Sequence, residues 1–187
     1  FILPKRSAVL LFCFALLLVG CAGNTSRTNQ INRVVQTART YTGVPYKFGG
    51  TTRVGLDCSA LIYHSYRSIG VNMPRVTADQ SKQGEKIRLK QLAVGDLVFF
   101  ATGNKKRKVT HAGIVTSVSG KNQVRFIHAS SSLGVIESNI YSPYYLKRFL
   151  NARRILGSHK KSSTINRGAL SLVENTGVEP VTSTLPK

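Results

Sequence analysis

Three side chains hold the reactive potential of this sequence. Cys58 stands in "LDCSALI", directly after Asp57 and before Ser59, where an apolar-periodic run begins. His111 opens "HAGIVTSV", and His128 lies within "QVRFIHAS". A thiol beside an imidazole supports nucleophilic acyl transfer: the sulfur attacks, the ring takes its proton, and a third group orients the ring. The same residue types also bind zinc. No short ligand pair of the C-x-x-C or H-x-x-x-H kind accompanies them, so no metal and no other cofactor is expected. Packing is the third use. A lone cysteine is commonly a small buried hydrophobe, and either histidine alone suits a structural place in a strand. Spacing by itself leaves Cys58 open between chemistry and packing. His64, beside Tyr63, and His159 have no such partners and read as incidental.

The N-terminus bears on the cysteine count. Lys5 and Arg6 precede an uninterrupted apolar run from Ala8 to Val19, too short for a membrane span of roughly 20 residues but suited to a signal-peptide core. The run leads into "LVGC", a lipobox-like ending in which Cys21 is the expected lipidation site. The following residue is Ala22, not an acid, which in lipoproteins of this kind implies sorting to the outer membrane, with the domain facing the periplasm. Cys13 leaves with the signal and Cys21 is taken by lipid. Cys58 then has no partner, and no disulfide framework is possible.

The elements that must position these residues follow from periodicity. Residues 1–20 are the expected signal and 21–30 a flexible polar tether. Ile31, Val34, Val35, Ala38 and Tyr41 recur at helical spacing, and Gly43 and Pro45 end that helix. "PYKFGGTTRVGLD" is loop chemistry, with Gly49 and Gly50 permitting a tight backbone. A second helix begins at Cys58, capped by Asp57, with Leu61, Ile62, Ser65 and Ile69 on one face and Gly70 after it. A helix N-terminus favours a negative sulfur, so a lowered thiol pKa is expected. Asp79 to Lys86 suggests a short helix and loop. Strands are expected over Leu97–Ala101, His111–Val118 and Gln123–Ser130, with "SGKN" as a hairpin turn, Asp96 in a turn, and two short strands from "ESNI" and "NARRIL". Helices followed by strands give an α+β domain with an antiparallel sheet over residues 31–156. On adjacent strands, His111 and His128 can share a face. Residues 157–187 lack periodicity and read as a disordered tail.

Charge narrows the partners. The 187-residue chain has 27 basic and 7 acidic side chains; without residues 1–20 the net charge is +18. Such a field favours anionic partners. Export, and the lack of basic-aromatic or zinc-finger motifs, argue against nucleic acid and for an anionic wall polymer or lipid headgroup. The densest basic run, Asn104–Thr110, is a solvated loop by default.

"PYKFGG", "LDCSALI", "GDLVFF", "HAGIV" and "FIHASSSLGV", in this order, resemble the NlpC family of cell-wall cysteine peptidases, in its lipoprotein murein-endopeptidase branch. The resemblance runs from about Ile31 to Leu156. It implies a papain-like fold and a triad of Cys58, His111 and His128. It also implies a Tyr46 hydroxyl turned to the site as an oxyanion stabiliser, and Asp57 and Ser59 as peptide-binding residues. Ala60 stands where the family often has glycine, a small departure. The implied partner is peptidoglycan, with the membrane reached only through the N-terminal lipid; a monomer is expected. The implied reaction is cleavage of D-alanyl–diaminopimelate cross-links, with a D-glutamyl–diaminopimelate cut or LD-carboxypeptidase action as alternatives. A non-catalytic wall-binding lipoprotein and a thioester-forming acyltransferase are the rivals of other classes.

Overall fold

The computed structural model describes residues 22–103 and 107–157. The expected signal, Cys21 and the tail from residue 158 lie outside the described residues, as do residues 104–106 of the basic loop. Helix α1 spans Ala22–Arg39 and buries Val34, Val35 and Ala38. It therefore begins at Ala22, not at Ile31 where the apolar period starts, and takes up the segment read as a tether. That segment is polar but has no proline, so a helix nucleated by the buried stripe can propagate back through it. No helix among the described residues is long and apolar enough to cross a membrane.

After α1 the chain makes a small hairpin, β1 (Thr51–Thr52) against β2 (Gly55–Leu56), where only a loop was expected. Helix α2, Cys58–Arg67, follows at once. Its inward residues Leu61, Ile62 and Tyr66 are buried, and the buried Tyr66 hydroxyl donates to the Gly95 carbonyl, tying the helix to the turn before the central strand. Helix α3, Thr77–Gln80, is a single turn, and β3, Glu85–Ile87, replaces the rest of the helix–loop expected over Asp79–Lys86. Gly84, with φ +67°, explains the change: the chain turns there against the Arg154 carbonyl, and Glu85–Ile87 can pair with the last strand.

The remaining elements are β4 (Leu97–Phe100), β5 (His111–Val118), β6 (Val124–Ser130), β7 (Gly134–Asn139), α4 (Pro143–Arg148) and β8 (Phe149–Arg154). They form a six-stranded antiparallel sheet in the order β3-β8-β4-β5-β6-β7. Both faces of the sheet are covered, which is why β4 is an unbroken apolar run. Leu97 and Phe99 face the helices α1 and α2 with Ala112, Ile114, Ile127 and Ala129. Val98 and Phe100 face the other way with Val115, Phe126 and Ile140, under Tyr145 and Phe149. Asp96 fills the turn before β4: its carboxylate accepts from the Ala93 N–H at 2.8 Å and pairs with both Nε and Nη2 of Arg154. The α+β reading therefore holds.

Candidate active site

The nucleophile loop is held by charge. Asp57 caps α2 in extended conformation, and its carboxylate accepts from the Ala60 N–H at 2.8 Å. The same carboxylate accepts from the Gly49 N–H at 3.0 Å and the Ser59 hydroxyl at 2.9 Å. Arg75 then grips both oxygens, Nη1 on Oδ1 and Nη2 on Oδ2, each at 2.9 Å. Nη1 also donates to Ser59 Oγ at 2.7 Å, and Nη2 to the Gly50 carbonyl at 3.1 Å. Burial alone would raise the Asp57 pKa. The hydrogen bonds from Arg75, Ala60 and Ser59 and the guanidinium charge outweigh it and hold the carboxylate below its ordinary value. Asp57 and Ser59, read as peptide-binding residues, are thus both buried and spend their polar atoms on this loop. Gly49 and Gly50 serve as expected: Gly49 sits at φ +71°, and a Cβ at Gly50 would lie 2.4 Å from the Gly55 carbonyl oxygen.

Cys58 is the first residue of α2 and is 6 % exposed. Its Sγ lies 3.5 Å from the Thr77 hydroxyl, and the backbone of Ala112 and Ser59 is near enough to act on the thiol. Contrary to the lowered pKa expected from the helix N-terminus, the thiol is pushed up. Burial is the main cause, the nearby Asp57 charge adds to it, and the Thr77, Ala112 and Ser59 donors offset only part. Tyr46 is half-buried beside this sulfur. Its own hydroxyl is pushed up by burial and then by the charges of Cys58 and Asp57.

The histidine side is neutral and aromatic. His111 begins β5, and Ala112, whose backbone acts on the Cys58 thiol, is the next residue. His111 Nε2 and His128 Nδ1 are 2.9 Å apart, with the rings at 88°. The Ile114–Ile127 pairing carries His128 alongside Gly113. A Cβ at Gly113 would stand 2.6 Å from both the Ile127 carbonyl oxygen and the Phe126 ring, and 3.1 Å from His128 Cβ, so only glycine leaves room for the two imidazoles to meet. Phe126 stacks on His128 at 4.7 Å, and Tyr145 packs edge-on against both rings. His128 Nε2 lies 2.9 Å from Ser138 Oγ and 3.1 Å from the Tyr145 hydroxyl. Burial lowers the His111 pKa to about 4; burial and then the His111 charge lower His128 to about 3. Both rings are neutral at pH 7.

The structure thus brings Cys58, His111, His128 and Tyr46 to one end of the sheet. It adds Arg75, Thr77, Ser138 and Tyr145, none of which had been singled out. Ser138 had a visible signal: in the β6–β7 register His128 pairs Ile136, so Ser138 lies diagonally across on the same face. For Arg75 and Thr77 the sequence offers no periodicity or motif. His64 is not idle: its Nε2 bonds with the Thr51 carbonyl at 2.8 Å and its ring stacks on Tyr41. Among the described residues, no group of three or more His, Cys, Asp or Glu could hold a metal ion.

The sequence model of the NlpC/P60 family matches residues 43–154. The chain is 39 % identical over 126 residues to the murein DD-endopeptidase MepS/murein LD-carboxypeptidase of Escherichia coli K12, covering 67 % of this chain and 63 % of that protein. It is 36 % identical over 156 residues to the "Probable endopeptidase NlpC" of the same organism, covering 78 % of this chain and 97 % of that one. Among solved structures, an NlpC/P60 family protein from Bacillus cereus ATCC 10987 superposes with a TM-score of 0.60 at 30 % identity, covering 68 % of this chain and 40 % of that one. The chain thus spans less than two thirds of the length of the MepS and Bacillus relatives.

Proposed function

Because the chain belongs to the NlpC/P60 family, we propose that it is a peptidoglycan hydrolase, a cysteine endopeptidase with Cys58 as nucleophile, His111 as general base and His128 as the group that orients it. One observation carries the reading: His111 and His128 are joined ring to ring at 2.9 Å, and the backbone of Ala112, the residue after His111, lies beside the Cys58 thiol. The thiol is pushed up and the imidazoles are pushed down, so the resting pair is a neutral thiol and a neutral imidazole. Proton transfer from sulfur to His111 therefore accompanies attack on the peptide carbonyl rather than preceding it. The C–S bond forms as the carbonyl becomes a tetrahedral oxyanion, stabilised by backbone N–H at Cys58 and by Tyr46. Collapse breaks the C–N bond, His111 returns the proton to the leaving amine, and water hydrolyses the thioester. His128 accepts from His111 Nε2–H and steadies the imidazolium while it exists.

Asp57 and Ser59 serve binding indirectly, by holding Arg75 and the Tyr46–Gly50 loop in place. Peptidoglycan stem peptides bear free carboxylates, which suit a chain of net charge +18 beyond its first twenty residues. The proposed bond is the D-alanyl–diaminopimelate cross-link, and the role is to open the wall for growth. A lipid on Cys21 would hold the enzyme at the outer membrane, near an insoluble substrate; labelling with radioactive palmitate that survives Cys21→Ala would refute that anchor.

Digestion of purified sacculi with the full chain and with Cys58→Ala tests the function. Wild type should convert cross-linked muropeptide dimers to monomers, identified by mass, and the variant should not. Identical digests would refute the peptidase. Release of single D-alanine residues from monomers would instead mean LD-carboxypeptidase action. A fragment transferred onto another amine would mean an acyltransferase.

A further inference from the structure

The inference deepens the cysteine-peptidase reading and rests on it: His111 must present a bare nitrogen to the thiol, and something must keep it so. With both rings neutral, the 2.9 Å contact between His111 Nε2 and His128 Nδ1 has one donor and one acceptor. Two arrangements satisfy it. In the first, His111 carries its proton on Nε2, donates to His128, and has Nδ1 bare; His128 must then carry its proton on Nε2. In the second, His128 carries its proton on Nδ1 and donates to His111, which is then protonated on Nδ1 and useless as a base there. The atom that separates the two is His128 Nε2. Two hydroxyl oxygens converge on it, Ser138 Oγ from β7 at 2.9 Å and Tyr145 from α4 at 3.1 Å.

Two oxygens on one ring nitrogen suit a shared N–H better than a lone pair. A bare nitrogen has one lone pair and accepts from one hydroxyl, leaving the second oxygen without a match. An N–H shared between them serves both, since each hydroxyl oxygen has acceptor capacity to spare. Both hydroxyls rotate freely about their C–O bonds, so each can turn its own proton away from the ring. We propose that Ser138 and Tyr145 are positioning residues that accept jointly from His128 Nε2–H, fix that tautomer, and so leave His111 Nδ1 free as the base for Cys58. His128 is fully buried under Phe126 and Tyr145, so water is a poor substitute for them. Without either oxygen a buried N–H would lack an acceptor, and the pair escapes that state by moving to the second, inactive arrangement.

The test uses the full chain labelled with ¹⁵N-histidine, read by NMR at neutral pH, alongside kcat and KM on a cross-linked muropeptide dimer. In wild type, His128 should be protonated at Nε2 and bare at Nδ1. In Ser138→Ala/Tyr145→Phe the order should reverse, with kcat down about 10²-fold and KM nearly unchanged. Each single variant should lose less than about fivefold, because one oxygen still accepts. Ser138→Thr in the Tyr145→Phe background, which restores a hydroxyl, should recover the wild-type spectrum and most of kcat. A wild-type spectrum with the proton on His128 Nδ1 overturns the proposal, and needs no variant to fold. So does a folded double variant that keeps the wild-type tautomer and rate. A wild-type protein that cleaves no muropeptide would refute the peptidase reading instead, while the spectrum would still decide the tautomer.

Discussion

The two walls of the site are built from opposite materials. On the nucleophile side, one carboxylate collects five donors from three parts of the chain, two of them from the guanidinium that closes the cage. On the histidine side, among the described residues, no ion pair holds the rings; aromatic stacking and hydroxyls do, and both imidazoles are kept neutral by burial. The contrast separates two tasks. Charge fixes the loop that presents the sulfur, and Arg75 pairs it there, so what Asp57 adds to the thiol is second to burial. Dryness tunes the base, because an imidazole out of water gives up its charge readily. A site that mixed the two, with a free carboxylate beside His128, would raise the ring's pKa and leave it protonated at neutral pH.

Damage to the neutral wall should cost most when it is steric. Gly113→Ala puts a methyl group 2.6 Å from a backbone oxygen and from the Phe126 ring, neither of which can withdraw. Destabilisation of about 3 kcal/mol is expected from overpacking, with loss of activity even in the fraction still folded. Denaturant melts read the first and single-turnover cleavage the second; a variant as stable and active as wild type would show that the imidazole contact is not tightly packed.

The charged wall should fail differently. Arg75→Ala leaves Asp57 buried with no counter-charge. Breaking a buried pair in this way costs several kcal/mol. Here the Arg75 side chain is 37 % exposed, so screening reduces the expected loss to about 2 kcal/mol. Arg75→Lys should recover only part, since an ammonium cannot grip both oxygens. Full recovery by lysine would mean that charge alone matters, not the fork.

Acid should distinguish the walls again. The histidines titrate near 6.5 in the unfolded chain, but at about 4 and about 3 in the folded one. Below pH 6.5 the unfolded chain thus binds protons that the folded one refuses. The stability present above that pH is progressively lost as pH falls through 4 toward 3. Tm should drop across this window, and His128→Gln should drop less steeply than wild type. Parallel slopes would contradict burial of a neutral ring.

The smallest effect is expected at the seam between the walls. Thr77→Val keeps the volume beside Cys58 and removes the hydroxyl 3.5 Å from its sulfur. That hydroxyl offsets part of the burial that pushes the thiol up. Its loss should slow alkylation of Cys58 by iodoacetamide about threefold at pH 8, in line with one weak hydrogen bond. Unchanged alkylation would show that the contact is incidental.

Much of this was readable in order, less of it in depth. Period-two alternation gave β5 with both of its ends, and the Asp57 cap gave the start of α2, because local backbone chemistry decides those features. The β1–β2 hairpin and β3 were hidden: strands of two or three residues are too short to show a period, and β3 forms only because Gly84 turns the chain against β8. Helix α4, begun by Pro143, was missed for the same brevity. Cys58, His111, His128 and Tyr46 were legible through motif order. The direction of the thiol shift was not, since a helix N-terminus is visible in sequence but the tertiary burial of the sulfur is not. Arg75, Thr77 and Tyr145 reach the site from 17 to 19 residues away through packing alone.

The proposed cleavage turns on a covalent bond to one sulfur. The full chain mixed with a cross-linked muropeptide dimer, quenched in acid within a turnover and measured by intact and peptide mass, should carry an acyl fragment on the peptide containing Cys58, and Cys58→Ser should carry none there as a thioester. Efficient cleavage with no adduct, or with the adduct on another residue, would contradict it.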